Sequence, residues 1–188
     1  MDELKYKIRE DLTKNVDGHN VYRIEALKDF SDVKKGDLGG WIEKEDNLSQ
    51  KGNCWVYDDA IVFENARIYH NARIFGNAEV YGKAVLVDDC TIYDNVIIRG
   101  YTFLCFKEEI CGDAVINQIS DFIVCKDIWS NEGDYTYTRS NRMWKLGSFY
   151  GTGQELIDKA YKDSELSGRN YTATVKYVEE FYKLMETE

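Results

Sequence analysis

Residues 52–99 read GNCWVY DDAIVF ENARIY HNARIF GNAEVY GKAVLV DDCTIY DNVIIR, and the same six-residue period continues to Asn117. The fifth place of each hexad is aliphatic, running Val56, Val62, Ile68, Ile74, Val80, Leu86, Ile92, Ile98, Leu104, Ile110, Ile116. The third place is small, from Cys54, Ala60 and Ala66 through Ala84, Cys90 and Val96 to Ala114, and Glu108 alone breaks that rule. Side chains alternate along a strand, so places three and five face the same way and define one buried edge. The first two places carry turn chemistry, as in Gly52-Asn53, Asp58-Asp59, His70-Asn71 and Gly76-Asn77, residues that tolerate left-handed backbone. Three such sides close a triangular prism, a solenoid with an 18-residue coil. Alanines at 60, 66, 72, 78 and 84 exclude a pentapeptide repeat.

The step from an aliphatic residue to a small one four places later (Val56 to Ala60, Val62 to Ala66, Ile68 to Ala72, Ile74 to Ala78, Val80 to Ala84) resembles the left-handed parallel β-helix proteins of the hexapeptide-repeat class. The resemblance is nearest to a subgroup with repeats like VYGNAR, found in YdcK-like proteins and in many phage and prophage proteins. The lead-in GDLGGWIEKEDNLSQKGNCWV, residues 36–56, is similar to that subgroup as well. The expected fold is therefore mainly β. A left-handed parallel β-helix of about four coils (36–117) lies between an N-terminal β-hairpin cap (1–35) and a small C-terminal α/β subdomain (118–188). The hand of the coil comes from the resemblance alone.

In the cap, strand-like runs at Leu4–Arg9 and Val21–Ala26 flank the turn-rich Asn15-Val16-Asp17-Gly18. Past the ladder, a strand is expected over Asp121–Trp129 and a hairpin over Tyr135–Tyr150, punctuated by Asn131–Gly133. Thr152-Gly153-Gln154-Glu155 reads as a capping box opening a helix through Leu156, Ile157, Ala160 and Tyr161. Gly168 is expected to interrupt it. A second helix should present Tyr171, Val175, Val178, Phe181 and Leu184 on one face.

Net charge is −10, which disfavours nonspecific binding to nucleic acid. No apolar run approaches the roughly 20 residues of a membrane span, and the charged start MDELKYKIRED lacks a secretory signal, so a cytoplasmic location is expected. The five cysteines form no C-x-x-C pair, and Cys54 and Cys90, two coils apart, would sit roughly 10 Å from each other, beyond disulfide reach.

The resemblance implies a trimeric acyltransferase that takes coenzyme A thioesters and uses a histidine base. His19 and His70 are the two histidines, and His70 falls on a turn place where solvent exposure is expected. The metal-dependent branch of the class needs three histidines per zinc, so no metal is expected. Aromatics at place six point outward 18 residues apart, Tyr57, Phe75 and Tyr93 on one side and Phe63 and Tyr81 on another, the pattern of a subunit interface or of cover for the flanks. Tyr137, Arg139, Arg142, Trp144 and Lys145 concentrate cations among aromatics, suited to a nucleotide-like ligand or an acidic protein partner, although ordinary strand alternation explains them too. The favoured reading is a noncatalytic oligomeric β-helix binding protein of phage or prophage origin that acts on a host defence factor. The competing reading is an acyltransferase with His70 as base.

Overall fold

The computed structural model describes residues 3–105, 107, 109–126 and 134–186. They form two compact units, Met1–Ile119 and Ser120–Glu188. In the first, strands β1 (Tyr6–Val16) and β2 (His19–Ala26) make an antiparallel hairpin, followed by β3 (Leu38–Ile42). The coil strands are pairs of residues: β4 (Trp55–Val56), β5 (Ile61–Val62), β6 (Arg67–Ile68), β7 (Arg73–Ile74), β8 (Glu79–Val80) and β9 (Val85–Leu86). The series continues with β10 (Thr91–Ile92), β11 (Ile97–Ile98), β12 (Phe103–Leu104), β13 (Glu109–Ile110) and β14 (Val115–Ile116). They stack as three parallel faces, β5-β8-β11-β14, β4-β7-β10-β13 and β6-β9-β12. The expected mainly β solenoid of about four turns is what forms.

Within this unit the hexad places keep their assignments. The fifth-place aliphatics and the third-place small residues are fully buried wherever they are described, apart from a trace of exposure at Thr102. Burying each aliphatic contributes about 1.5–3 kcal/mol, so the prism axis carries most of the unit's stability. Glu108, the exception in the pattern, lies outside the described residues. At the corners, the first places at 52, 58, 64, 70, 76, 82, 88, 94, 100 and 112 all take positive φ. Their carboxylates then reach one coil onward: Asp58 accepts from the Gly76 amide (3.1 Å), Glu64 from Gly82 (2.9 Å) and Asp94 from Gly112 (2.9 Å). Second-place amides form ladders beside them, Asn53 to Asn71 (3.3 Å), Asn71 to Asp89 (3.0 Å) and Asn77 to Asn95 (3.1 Å).

The coil begins earlier than the ladder read from Gly52. Trp41 and Ile42 pair with Ile61 and Val62, and Leu48 bridges to Ile68, each 20 residues on, whereas every later pairing spans 18. Two extra residues between Leu48 and Val56 put the first coil out of phase, which hid it from a six-residue template. The hairpin is longer than expected because its turn closes tightly at Asp17-Gly18, both at positive φ, the two-residue geometry whose twist matches the strands. It joins the solenoid through β2–β3 pairing and extends one face to seven strands.

The end of the prism nearest the hairpin is closed by polar plugs. Lys5 is 1% exposed, and its Nζ donates to the Cys54 carbonyl (2.9 Å) and the Gly52 carbonyl (3.5 Å) and lies 3.4 Å from Cys54 Sγ. The Tyr6 hydroxyl donates to Leu48 O at 2.6 Å. Backbone carbonyls that the stack would leave unpaired are thereby satisfied, which matters because a buried orphan costs about 1–3 kcal/mol. Burial lowers the Lys5 pKa and raises that of Cys54. None of the five cysteines forms a disulfide among the described residues.

The second unit is a four-stranded antiparallel sheet in the order β15 (Phe122–Cys125), β16 (Tyr135–Thr138), β17 (Met143–Leu146), β18 (Phe149–Gly151), followed by helices α1 (Gly153–Asp163) and α2 (Glu165–Met185). The strand expected over 121–129 is seen at Phe122–Cys125, and residues 127–129, with the 131–133 punctuation, lie outside the described residues. The capping box forms: Thr152 Oγ1 accepts from the Glu155 amide (3.3 Å) while Glu155 Oε2 accepts from the Thr152 amide (2.8 Å). Gly168 does not break the helix. Ser164 separates the helices by capping α2 through the Ser167 amide (3.0 Å), and Gly168 lies inside α2, where a Cβ would stand 2.2 Å from the Tyr161 ring. The buried face of α2 runs Tyr171, Val175, Val178, Tyr182; Phe181 and Leu184 are exposed, because the helical period carries the stripe from Val178 to Tyr182.

Candidate ligand groove and the histidine corners

In the second unit, β16 and β17 lay Tyr135, Tyr137, Trp144 and Leu146 against Leu156, Ala160, Tyr171, Val175, Val178 and Tyr182. Trp144 is 0% exposed and packs at 5.0 Å from the Tyr137 ring and 5.9 Å from Tyr135. The expectation that Trp144 and Lys145 contact a ligand is therefore corrected. Trp144 is core, and Lys145 is buried on the sheet with its Nζ on the Gly147 carbonyl. Arg142 does not share a strand face with Trp144, since it occupies the β16–β17 turn at φ 57.

Three of the expected residues do come together. Tyr137, Arg139 and Arg142 line a groove of about 230 Å3 with Glu179, Tyr182, Lys183 and Glu186. The Arg139 guanidinium lies 5.7 Å over the Tyr182 ring and has no carboxylate partner among the described residues. Arg142 is 3.8 Å from Glu186 in an exposed pair, an interaction worth little in water. Tyr182 is 3% exposed, its ring 5.4 Å from Tyr137, and its hydroxyl has no hydrogen-bond partner among the described groups. Burial pushes its pKa up to about 12. The groove thus offers cations, a ring, two carboxylates and an unused hydroxyl. Its helix wall was missed from sequence, yet Glu179, Tyr182, Lys183 and Glu186 fall three and four apart, a spacing that places them on one side of α2.

In the first unit, His70 takes φ 55 at a coil corner, and its side chain is 65% exposed. Its Nδ1 pairs with Asp88 at 2.8 Å, an orienting carboxylate of the kind a base uses. The depression of about 360 Å3 on a neighbouring face is lined by Ser31, Asn53, Asn71, Arg73, Asp89 and Thr91, and His70 is not among them. Arg73 there is engaged by Ser31 Oγ at 2.9 Å. No group of three or more His, Cys, Asp or Glu placed to hold a metal occurs among the described residues.

His19 ties the hairpin to the coil. Its Nδ1 is 2.9 Å from Glu43 and its Nε2 3.6 Å from Glu64, with the ring 5.2 Å from Phe63. The Glu43 hydrogen bond raises its pKa above the ordinary 6.5, with Glu64 adding to the effect. A His that holds its proton more tightly when folded stabilises the fold below the unfolded value near 6.5, and that contribution is lost as pH climbs through the raised value. Thermal midpoints of the parent should therefore fall between pH 6 and pH 8 by more than those of His19→Gln. Parallel pH profiles for the two proteins would refute this role.

The aromatic columns divide. Tyr57 stacks on Phe75 at 4.2 Å and 13°, and the Tyr57 hydroxyl donates to Asp32 at 2.8 Å. Phe63 stacks on Tyr81 at 4.7 Å but is only 2% exposed, covered by Val21 of β2. Phe63 is therefore corrected from subunit contact to internal packing, with Tyr81 half-buried beside it. Tyr57, Phe75, Tyr81 and Tyr93 are all partly exposed.

No protein-family model matches the chain. Over 40 residues, 21% of the chain, it is 50% identical to a protein of Escherichia coli (strain K12) described as uncharacterized acetyltransferase YdcK. The matched stretch spans 12% of that protein's length. With the three-sided solenoid, this local similarity supports kinship with the hexapeptide-repeat class at the coarse level. Among the described residues, no helix is long and apolar enough to cross a membrane.

Proposed function

We propose that this chain is a noncatalytic binding protein in which a β-solenoid carries a small α/β unit that holds the ligand. The observation behind this reading is the groove at Arg139, where a guanidinium without a carboxylate partner among the described residues lies over a buried tyrosine. Such a cation beside a ring is a recognition element that the fold itself leaves unused. Self-association along the Tyr57–Phe75–Tyr93 side, as a trimer, fits the half-exposed stack there. In the phage or prophage setting implied by the repeat resemblance, such a protein would act on a host defence factor by occupying a ligand or a protein surface.

A second reading, acyl transfer from a coenzyme A thioester, is favoured by the His70–Asp88 pair and by the similarity to a protein named as an acetyltransferase. The two readings separate in one assay. Given acetyl-coenzyme A together with a panel of amine and hydroxyl acceptors to take the acetyl group, the purified chain is expected to release no free thiol above the buffer rate, with His70→Ala indistinguishable from the parent. Thiol release that drops about 100- to 10,000-fold in His70→Ala would establish a general base and overturn the noncatalytic reading.

A further inference from the structure

We propose that the groove on α2 binds a mononucleotide-sized phosphate ester, with phosphate on Arg139 and Lys183 and the ring held at the Tyr137–Tyr182 side. This rests on the binding-protein reading above and assigns the ligand class. Size comes first. At about 230 Å3 the groove lies below the usual range for larger cofactor pockets, roughly 300–1,000 Å3, so it suits one ring and one phosphate rather than a coenzyme or dinucleotide.

Charge then sets the orientation. Arg139 has no carboxylate partner among the described residues, and Arg fits a phosphate through two parallel N–H donors. Lys183, on the α2 wall, adds a point charge. Glu179 and Glu186 oppose a ligand that is anionic throughout, but they can accept from the amino and imino donors of a base. An uncharged nucleoside leaves Arg139 unused, and phosphate alone leaves the two carboxylates unused. The Tyr182 hydroxyl, buried without a partner among the described residues, is one more donor for a ligand atom that reaches it.

The test is calorimetric titration of the full chain with AMP, GMP, CMP and UMP, each compared with inorganic phosphate, adenosine and an oligoglutamate peptide. At least one mononucleotide is expected to bind, at least about 10-fold more tightly than phosphate or adenosine. Arg139→Ala should weaken that binding about 10- to 100-fold, the cost of losing hydrogen bonds from a charged donor, with Arg139→Lys recovering only part. Tyr182→Phe should weaken binding while leaving the thermal midpoint unchanged or higher, since it deletes an unsatisfied buried group. Unchanged far-ultraviolet circular dichroism shows that each variant is folded.

Absence of mononucleotide binding at millimolar concentration, equal binding of phosphate alone, or full affinity in Arg139→Ala would each overturn the assignment. Oligoglutamate binding that depends on Arg139, without nucleotide binding, would reject the ligand class and leave the binding-protein reading standing. Thiol release dependent on His70 would reject that reading whatever binds in the groove.

Discussion

Trp144→Ala is expected to unfold the C-terminal unit while the solenoid keeps its structure. Trp144 is the largest fully buried side chain of that unit and touches both tyrosines of β16. Truncating a buried Trp costs about 3–5 kcal/mol, because transfer energy is lost and a cavity remains. A single core in a unit this small rarely supplies more than about 3–5 kcal/mol, so the loss matches the whole. Hydrogen exchange read by mass spectrometry should show peptides from α1 and α2 exchanging rapidly in the variant, with peptides from β5–β11 still protected. Trp144→Phe keeps most of the volume and should retain the protection. Full protection of α1 and α2 in Trp144→Ala would mean that the sheet–helix core is held by something other than this ring.

Gly52→Ala and His70→Gly should move stability in different amounts from the same corner column. Gly52 has φ +70, and a Cβ there would lie 2.4 Å from the His70 carbonyl oxygen. That oxygen accepts from both the Asn53 and Cys54 amides at 2.7 Å, so relief of the clash disturbs two hydrogen bonds. Left-handed backbone costs an alanine about 1–2 kcal/mol and each of the two disturbed bonds about 0.5–1.5, which puts Gly52→Ala at about 2–5 kcal/mol. His70 already bears the left-handed cost. Its replacement by glycine relieves that strain, loses an exposed pairing with Asp88 and gives the unfolded chain more freedom, leaving a net change within about 1 kcal/mol. Urea denaturation followed at the solenoid transition measures both. Equal destabilisation by the two substitutions would show that corner conformation does not govern coil stability.

The solenoid was legible because burial repeats at a period that one strand and one turn impose, so each of Val56 through Ile116 repeats the same statement. The first coil was legible only through the resemblance of residues 36–56 and not through the period, since two residues between Leu48 and Val56 shift it against the period while the backbone pairing at Trp41–Ile61 survives. In the C-terminal unit the local signals were read correctly at Thr152, where a cap is decided by residues three apart. They failed at Gly168, because a glycine that admits a tyrosine ring looks in sequence like one that ends a helix. The groove was half legible. Arg139 and Arg142 stand close in sequence, but their partners on α2 are some 40 residues on, and only the sheet–helix packing brings them alongside. Trp144 was misjudged for a related reason: alternation gives two faces and does not say which one the helices cover.

The corner column Asp58, Gly76, Asp94, Gly112 alternates acid and glycine, and Cys54, Ala72, Cys90 alternates in step beside it. Along this column the pattern therefore repeats every 36 residues rather than every 18-residue turn. Excising a single turn would bring the carboxylates of Asp58 and Asp94 into register roughly 5 Å apart, where like charges repel, whereas excising two turns keeps the acid of this column over a glycine amide.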